Sequence, residues 1–248
     1  MHPHSQSGGL DIRHLLTGFT LVEIAIVLVI IGLLLGGILK GQELINSARV
    51  RNLADTTSGV QAAYFGFVDR YRRVPGDWQQ TAANAAIGGA IVSGGNDNGR
   101  LDVLAAPNEY QEPNALWEHL SKAGFVSGSY TGTTAEPTTE NGAGPFNPFN
   151  SAIIVARTNN YADVAAAPPA RLHLIVGRGT PVDIARELDT KLDDSVPNTG
   201  NVRAAGVASP LGGGSGWGDG DATCVAAGPP VVWNVAGDSQ DCNVIYLF

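Results

Sequence analysis

The chain has 248 residues, of which 44% are hydrophobic and 15% are charged, so most of it is expected to fold. Its 32 glycines and 14 prolines favour a body rich in turns over an all-helical one. The formal net charge is −8, and Arg70, Arg72 and Arg73 form the densest basic group. A nucleic-acid interface needs a larger cluster of lysine and arginine, so no nucleic-acid partner is predicted.

The first predicted element is an apolar helix. Residues 19–39 are 21 consecutive residues whose only polar members are Thr20 and Glu23. As a helix this run is about 31 Å long, which matches the hydrocarbon core of a bilayer. No small-residue cleavage site follows it, so it differs from a secretory signal peptide. Glu23 is unusual here, because an acidic side chain at the centre of a membrane helix costs roughly 2.5–3.5 kcal/mol.

The helical pattern continues beyond Lys40 as far as the turn-forming sequence Val74-Pro75-Gly76-Asp77. Its apolar positions are Leu44, Ile45, Ala48, Leu53, Val60, Tyr64, Phe67 and Tyr71. One helix over about residues 19–73 is predicted, apolar all round in its first half and amphipathic in its second. Melting of this helix at Gly36-Gly37 is an open alternative, because each glycine costs up to about 1 kcal/mol relative to alanine.

The start of the apolar run carries a family resemblance. The stretch Gly18-Phe19-Thr20-Leu21-Val22-Glu23 resembles the processing site of type IV prepilins and of type II secretion pseudopilins. The resemblance implies that a prepilin peptidase cleaves between Gly18 and Phe19 and methylates the new amino terminus of Phe19. It also implies that Glu23 pairs with the Phe19 ammonium of a neighbouring subunit, which would relieve the cost of a lone charge in an apolar bundle.

The resemblance also implies a domain plan. It consists of a leader over residues 1–18, a transmembrane and assembly helix over 19–40, an amphipathic helix over 41–77 and a globular head over 78–248. The expected fold is α+β and type IV pilin-like, with the long helix packed on a C-terminal antiparallel sheet. The expected partners are further copies of the chain in a helical filament, the peptidase and the inner-membrane assembly machinery. The expected location is the inner membrane with a periplasmic head, and then a periplasmic or extracellular filament.

Within the head, two helices and five strands are predicted. One helix covers residues 113–123, and another begins at Thr180 with the spacing of a capping box to Asp183. Short apolar runs predict strands, of which the first two are expected to be adjacent. These runs cover residues 151–157, 171–177, 201–207, 231–235 and 243–248. Residues 88–99, 127–150 and 208–222 are predicted to be loops within one domain.

The two cysteines, Cys224 and Cys242, lie close to the C-terminus. They form no Cys-x-x-Cys motif and have no neighbouring histidine, so a zinc site is not indicated. We predict a single disulfide that closes a C-terminal loop, which would place the head in an oxidising compartment. Two buried free thiols are the alternative.

Two acidic stretches are candidate calcium sites, and a solvated polar turn is the alternative for each. Oxygen-bearing side chains that flank a tight glycine turn suit calcium. The first set is Asn96, Asp97, Asn98 and Asp102, around Gly99. The second set is Asp219, Asp221, Asp238 and Asp241, near the cysteines. The family resemblance favours the second set, because major pseudopilins commonly hold calcium in their C-terminal loops.

No catalytic motif is found. Asp189, Asp193 and Asp194 lie on or just beyond a predicted helix, and a solvated face is predicted for them rather than an acid–base pair. His119 and His173 are predicted to be core or surface residues. The chain lacks a Gly-x-Ser-x-Gly elbow and a phosphate-binding loop, so it is not expected to be an enzyme.

Three functions remain open at this stage. The favoured one is a structural subunit of a type IV pilus-like filament. The second is a type II secretion pseudopilin, which would act in protein export. The third is a single-span membrane protein that carries a periplasmic enzyme or binding domain, although such a protein has no need of Gly18, Phe19 and Glu23 together.

Overall fold

A computed structural model of the chain describes residues 20–206 and 222–248. The chain divides into two compact units, residues 1–45 and 46–248, and every described buried residue belongs to the second. The fold class is α+β, with a long apolar N-terminal helix and a C-terminal antiparallel sheet, as predicted.

The longest element is helix α1, which has 51 residues. The described helices are α1 (Leu21–Tyr71), α2 (Gln80–Ile87), α3 (Gln111–Lys122) and α4 (Val182–Leu192). The predicted turn ends α1, and Gly76 takes a φ of +88° there. A Cβ atom at Gly76 would lie 2.4 Å from the carbonyl oxygen of Glu112, so a larger residue would not fit.

Helix α4 begins differently from the prediction. Pro181 is its N-cap residue and makes no side-chain capping bond. The hydroxyl of Thr180 donates to the carbonyl oxygen of Gly177 at 3.4 Å instead of capping the helix. The predicted capping box is therefore wrong, because Thr180 belongs to the preceding strand and bonds within it.

Within residues 20–206 and 222–248, the main sheet has four strands in the order β1-β2-β6-β3, and all three pairings are antiparallel. Its strands are β1 (Ile154–Thr158), β2 (Arg171–Thr180), β3 (Val202–Ala204) and β6 (Cys242–Leu247). The predicted adjacency of the first two strands is confirmed. The run at 231–235 contains β5 (Val232–Trp233), which leaves the main sheet and pairs with β4 (Val225–Ala226) in a separate ribbon.

The sheet is covered on both faces, and the alternation of strand side chains shows it. On β2, Leu174 and Val176 belong to one apolar cluster while Ile175 belongs to the other. On β6, Val244 and Ile245 divide in the same way. This period of two is what a strand buried on both faces requires.

The second half of α1 packs against one of these clusters. Its buried residues are Val50, Leu53, Ala54, Thr57, Val60, Ala63, Tyr64 and Phe67. Steps of three and one between neighbouring members place these side chains in one stripe along the helix. Leu44 and Ile45, which were predicted to belong to the amphipathic pattern, are exposed, because the buried stripe begins only at Val50.

Candidate assembly segment and carboxylate clusters

The apolar half of α1 has no partner within the described part of the chain. No residue from 20 to 45 is buried, and side chains such as Leu21, Leu33 and Leu39 are 66–91% exposed. By length and composition the helix is able to cross a membrane or to act as a signal anchor. An exposed apolar surface of this size indicates contact with lipid or with other apolar helices.

Glu23 lies in the first turn of α1 and forms a capping box with Thr20. Its carboxylate accepts hydrogen bonds from the backbone N–H of Thr20 at 2.8 Å and from the Thr20 hydroxyl at 2.9 Å. The backbone N–H of Glu23 donates to the same hydroxyl at 3.3 Å. These bonds satisfy N–H groups that every helix leaves unpaired at its start.

Sequence reasoning missed the capping role of Glu23, although the Thr-x-x-Glu spacing is a recognisable signal for it. The capping box gives the carboxylate a partner within its own chain. Gly18 and Phe19, the predicted cleavage site, lie outside the described residues. Cleavage there, methylation of Phe19 and the intersubunit ion pair of Glu23 therefore remain predictions.

The helix is continuous through Gly36 and Gly37. A Cβ atom at either glycine would meet no other atom within 4 Å, so no described residue packs against these positions. The first charged residue after Glu23 is Lys40, which forms an exposed ion pair with Glu43 at 2.7 Å. The uncharged stretch of the helix therefore runs from Ile24 to Leu39.

The predicted disulfide is confirmed. Cys224 and Cys242 are bonded to each other, with their Cα atoms 5.7 Å apart. Both are buried, and Cys242 begins β6 while Cys224 directly precedes β4. The bond therefore ties the small ribbon to the main sheet.

In the first candidate calcium set, the oxygens are engaged by protein groups. Asp97 pairs with Arg73 at 3.2 Å, and Asp102 accepts a bond from the amide of Asn98 at 3.0 Å. The side-chain oxygen of Asn96 accepts the backbone N–H of Asn98, also at 3.0 Å. The side-chain oxygen of Asn98 in turn accepts the N–H of Arg100 at 2.9 Å. The predicted polar turn is thus present, and calcium at this turn stays a prediction.

Two buried carboxylates that sequence reasoning missed hold this turn in place. Asp77 accepts the backbone N–H groups of Asn98 at 3.1 Å and Gly99 at 2.8 Å. Glu112 accepts those of Asn96 at 3.3 Å and Asp102 at 2.8 Å. Burial raises the pKa of Asp77, and it raises the pKa of Glu112 to about 7. No sequence signal marks Glu112, because an acidic residue in the first turn of a helix is ordinary.

The second candidate calcium set is described only in part. Asp219 and Asp221 lie outside the described residues. Asp241 forms an ion pair with Arg178 and accepts the backbone N–H of Gly179 at 2.9 Å. Asp238 is exposed and accepts a bond from the Gln240 amide at 3.1 Å. The arginine already neutralises Asp241, so this carboxylate contributes less charge to a cation site than the sequence suggested.

The solvated face predicted for the three aspartates near α4 is wrong for Asp189. This residue is wholly buried, and it accepts bonds from the Trp233 indole at 2.7 Å and from the Ser195 N–H at 3.1 Å. Burial raises its pKa to about 6. A carboxylate oxygen of Asp193 and one of Asp194 lie within 4.8 Å of one on Asp189. The indole comes from β5, a distant strand that the helical pattern of α4 does not reveal.

The other two aspartates organise the chain after α4. Asp193 accepts the backbone N–H groups of Asn201 and Val202. Asp194 accepts the N–H of Val196 at 2.9 Å and the Thr199 hydroxyl at 2.6 Å. The three carboxylates are therefore bonded to protein donors, and their arrangement is explained by the structure of this loop.

Both histidines are wholly buried core residues, as one of the predicted alternatives stated. The Nδ1 atom of His119 accepts the backbone N–H of Gly76 at 3.0 Å, so its Nε2 carries the proton and donates to the Ser93 carbonyl at 3.1 Å. His173 lies within 3.4 Å of the Thr158 hydroxyl. Burial lowers the pKa of each histidine to about 4.

Comparison of the chain with protein-family models, with characterised proteins and with solved structures gave no match.

Proposed function

We propose that this protein is a structural subunit of a type IV pilus-like filament. The single observation that carries the proposal is the apolar half of α1, none of whose residues is buried by the described chain. A soluble monomer would expose this surface to water at a large cost. A bilayer before assembly and a bundle of identical helices after assembly would each cover it.

The position of Glu23 supports a bundle over a simple anchor. A membrane anchor gains only a helix cap from a carboxylate in its first turn, whereas a filament also gains a fixed axial register from a buried pair of opposite charges. The sequence Gly18-Phe19 directly before the helix supplies that partner, because cleavage there creates an ammonium four residues from Glu23. The disulfide agrees with a head that folds outside the cytoplasm.

The proposal is tested by maturation. The wild-type chain, a Gly18→Glu variant and a Gly9→Glu variant are each co-expressed with a prepilin peptidase, and the intact mass of the membrane-extracted protein is measured. Wild type and Gly9→Glu should both lose residues 1–18 and gain one methyl group, whereas Gly18→Glu should keep its leader. The Gly9→Glu variant controls for an added charge within the same leader.

Electron microscopy of sheared material completes the test. Filaments should form from the two processed chains and be absent for Gly18→Glu. Normal processing of Gly18→Glu, or a wild-type chain that keeps its first 18 residues, would rule out the prepilin assignment. The single-span anchor would then be the better description.

A further inference from the structure

The head contains an open polar groove of about 580 Å³. It lies between the start of α2, the segment 92–95 and the segment 132–134, and Gln111 of α3 also lines it. All of these residues belong to the unit formed by residues 46–248. The groove is thus independent of the apolar helix and of the filament proposal, and its volume is typical of a small-molecule site.

The first wall of the groove is held by side-chain amides. The Nε2 atom of Gln80 donates to the carbonyl oxygen of Ile91 at 2.6 Å, and that of Gln111 donates to the carbonyl oxygen of Gly94, also at 2.6 Å. Behind the wall, Glu118 accepts the backbone N–H groups of Val92 and Ser93 at 3.0 Å each. These bonds fix the segment before any ligand arrives.

The second wall is fixed by a buried side chain. The Nδ2 atom of Asn114 donates to the carbonyl oxygens of Thr133 and Ala135 at 2.8 Å each. A Cβ atom at Gly132 would lie 2.2 Å from the Cβ of Ser93. The two walls can therefore lie this close together only because residue 132 has no side chain. A groove with both walls preorganised loses little conformational entropy when a ligand binds.

The chemistry of the lining is neutral. None of the lining residues is ionisable, and they offer amides, hydroxyls and glycine backbone. Gln79, Thr81 and Thr134 are exposed, and their side chains make no hydrogen bond to any described residue. Each of these groups can both donate and accept a hydrogen bond.

This lining discriminates by charge. An anion would meet no cation in the groove and would lie in front of the Glu118 carboxylate. A cation would find no carboxylate in the lining, and both oxygens of Glu118 are already bonded to backbone N–H groups. An uncharged ligand rich in hydroxyl groups matches the free amide and hydroxyls, and Val92, which is 59% exposed, offers an apolar contact for the C–H face of a sugar ring.

We propose that this groove binds an uncharged oligosaccharide through Gln79, Thr81 and Thr134. Because no aromatic ring among the described residues lines the groove for stacking, the affinity should be modest, with a Kd of about 1 mM.

Saturation-transfer NMR on the full-length protein tests the proposal. The protein is held in phosphocholine micelles, because detergents with sugar headgroups would compete. The uncharged probes are maltotriose, cellotriose and triacetylchitotriose, each at about 10 mM so that a weak site is filled. Trigalacturonate, which carries carboxylates, is the charged probe.

The variant Thr81→Val/Thr134→Val replaces two hydroxyls by methyl groups of the same shape. Thr139→Val changes an exposed threonine outside the groove and is the matched control. At least one uncharged probe should bind wild type and Thr139→Val equally, and its affinity should fall by about tenfold or more in the double variant. An unchanged urea midpoint will show that the double variant is folded.

Three results would overturn the proposal. They are the absence of a signal from every uncharged probe, a signal that survives unchanged in the folded double variant, and binding of trigalacturonate in preference to the uncharged sugars.

Discussion

At the scale of single residues, Glu23 has two possible roles that predict different behaviour. Its carboxylate caps its own helix through Thr20, and it is also proposed to meet the Phe19 ammonium of a neighbour. Capping requires only a hydrogen-bond acceptor, which glutamine supplies equally well. Pairing with an ammonium requires the negative charge. Glutamine and alanine at position 23 therefore separate the two roles.

We predict that Glu23→Gln and Glu23→Ala both insert in the membrane and are both processed, but that neither forms normal filaments. The physical reason is that a buried ammonium without its partner costs on the order of 3–5 kcal/mol at each subunit. The measurement is electron microscopy of sheared filaments beside an immunoblot of the membrane fraction. Glu43→Gln is the control, since this exposed residue pairs only with Lys40 in the described chain. Full-length filaments from Glu23→Gln would show that capping alone explains the residue.

The burial of Asp189 leads us to expect that the free energy of unfolding depends on pH. Its folded pKa of about 6 lies above the ordinary value of about 3.9, so the folded state holds the proton more tightly than the unfolded state. The contribution of this group to stability is therefore present below about pH 4 and is lost as the pH rises through about 6. Two pKa units correspond to about 2–3 kcal/mol.

As the pH is raised from 4 to 7, we expect the free energy of unfolding of Asp189→Asn to rise by about 2–3 kcal/mol relative to that of wild type. The variant loses an acceptor for either Trp233 or Ser195, so its absolute stability can fall while its pH dependence still changes in this direction. Urea titrations at several pH values measure the difference. The control is Asp183→Asn, the same substitution at an exposed position of the same helix. If the free energy of unfolding of Asp189→Asn varies with pH in parallel with that of wild type, the prediction that burial raises the pKa of Asp189 is wrong.

At the scale of elements, α1 changes character along its length. Its first half presents apolar side chains on all sides, and its second half places one stripe against the head core. Phe67 lies at the centre of an aromatic group, with its ring centroid 4.7 Å from that of Tyr71 and 5.8 Å from that of Phe125. Phe65, two residues away, is 51% exposed.

We predict that Phe67→Ala lowers the free energy of unfolding of the head by about 3–5 kcal/mol, because it removes a fully buried ring and leaves a cavity. Phe65→Ala should lower it by about 1 kcal/mol or less, since its ring is half exposed. Urea unfolding in micelles, followed by tryptophan fluorescence, reports on the head because all four tryptophans lie there. Equal losses for the two variants would contradict the assigned face of the helix.

The elements differ in how far the sequence could predict them. The course of α1 follows from periodicity and from one turn sequence, so its bounds fall within two residues of the prediction. Two of the buried polar positions on helices, Thr57 and Asp189, were not found in this way. Thr57 bonds the carbonyl of Leu53 in its own helix, and Asp189 is buried by an indole 44 residues away. Burial of Asp189 depends on a partner that is distant in sequence, and local pattern does not contain that partner.

The strands show the same limit. The runs that become β1, β2 and β6 are long and apolar, so their existence could be predicted from composition. The ribbon of β4 and β5 has only two residues in each strand, too few for a periodic pattern, and it is joined to the rest of the head by the disulfide and by the buried Trp233. At the candidate sites, the position of Glu23 and the cysteine bond were predictable. The carboxylates Asp77 and Glu112 were not, because they act on backbone groups that are distant in sequence.

At the scale of the whole molecule, the buried core and the surface proposed for assembly lie in different parts of the chain. Every described buried residue lies at or beyond Val50, and the apolar helix surface ends at Ile45. A chain built in this way can lose its first unit without losing its core. Residues 46–248 keep 13 of the 15 basic and 20 of the 23 acidic residues, and their formal net charge of −7 favours solubility.

We predict that the fragment 46–248 is a soluble monomer with the same urea midpoint as the head of the full-length protein, and that it forms no filaments. The reason is that residues 20–45, the described part of the deleted segment, present exposed apolar side chains and include no buried residue. Light scattering coupled to size exclusion, circular dichroism and urea unfolding provide the measurements.

A shorter fragment, 58–248, is the control, because it also lacks Val50, Leu53, Ala54 and Thr57. It should lose several kcal/mol in free energy of unfolding or fail to fold. If 46–248 aggregates while 58–248 behaves well, the boundary between the two units is misplaced, and if 46–248 still forms filaments, the apolar helix is not what joins the subunits.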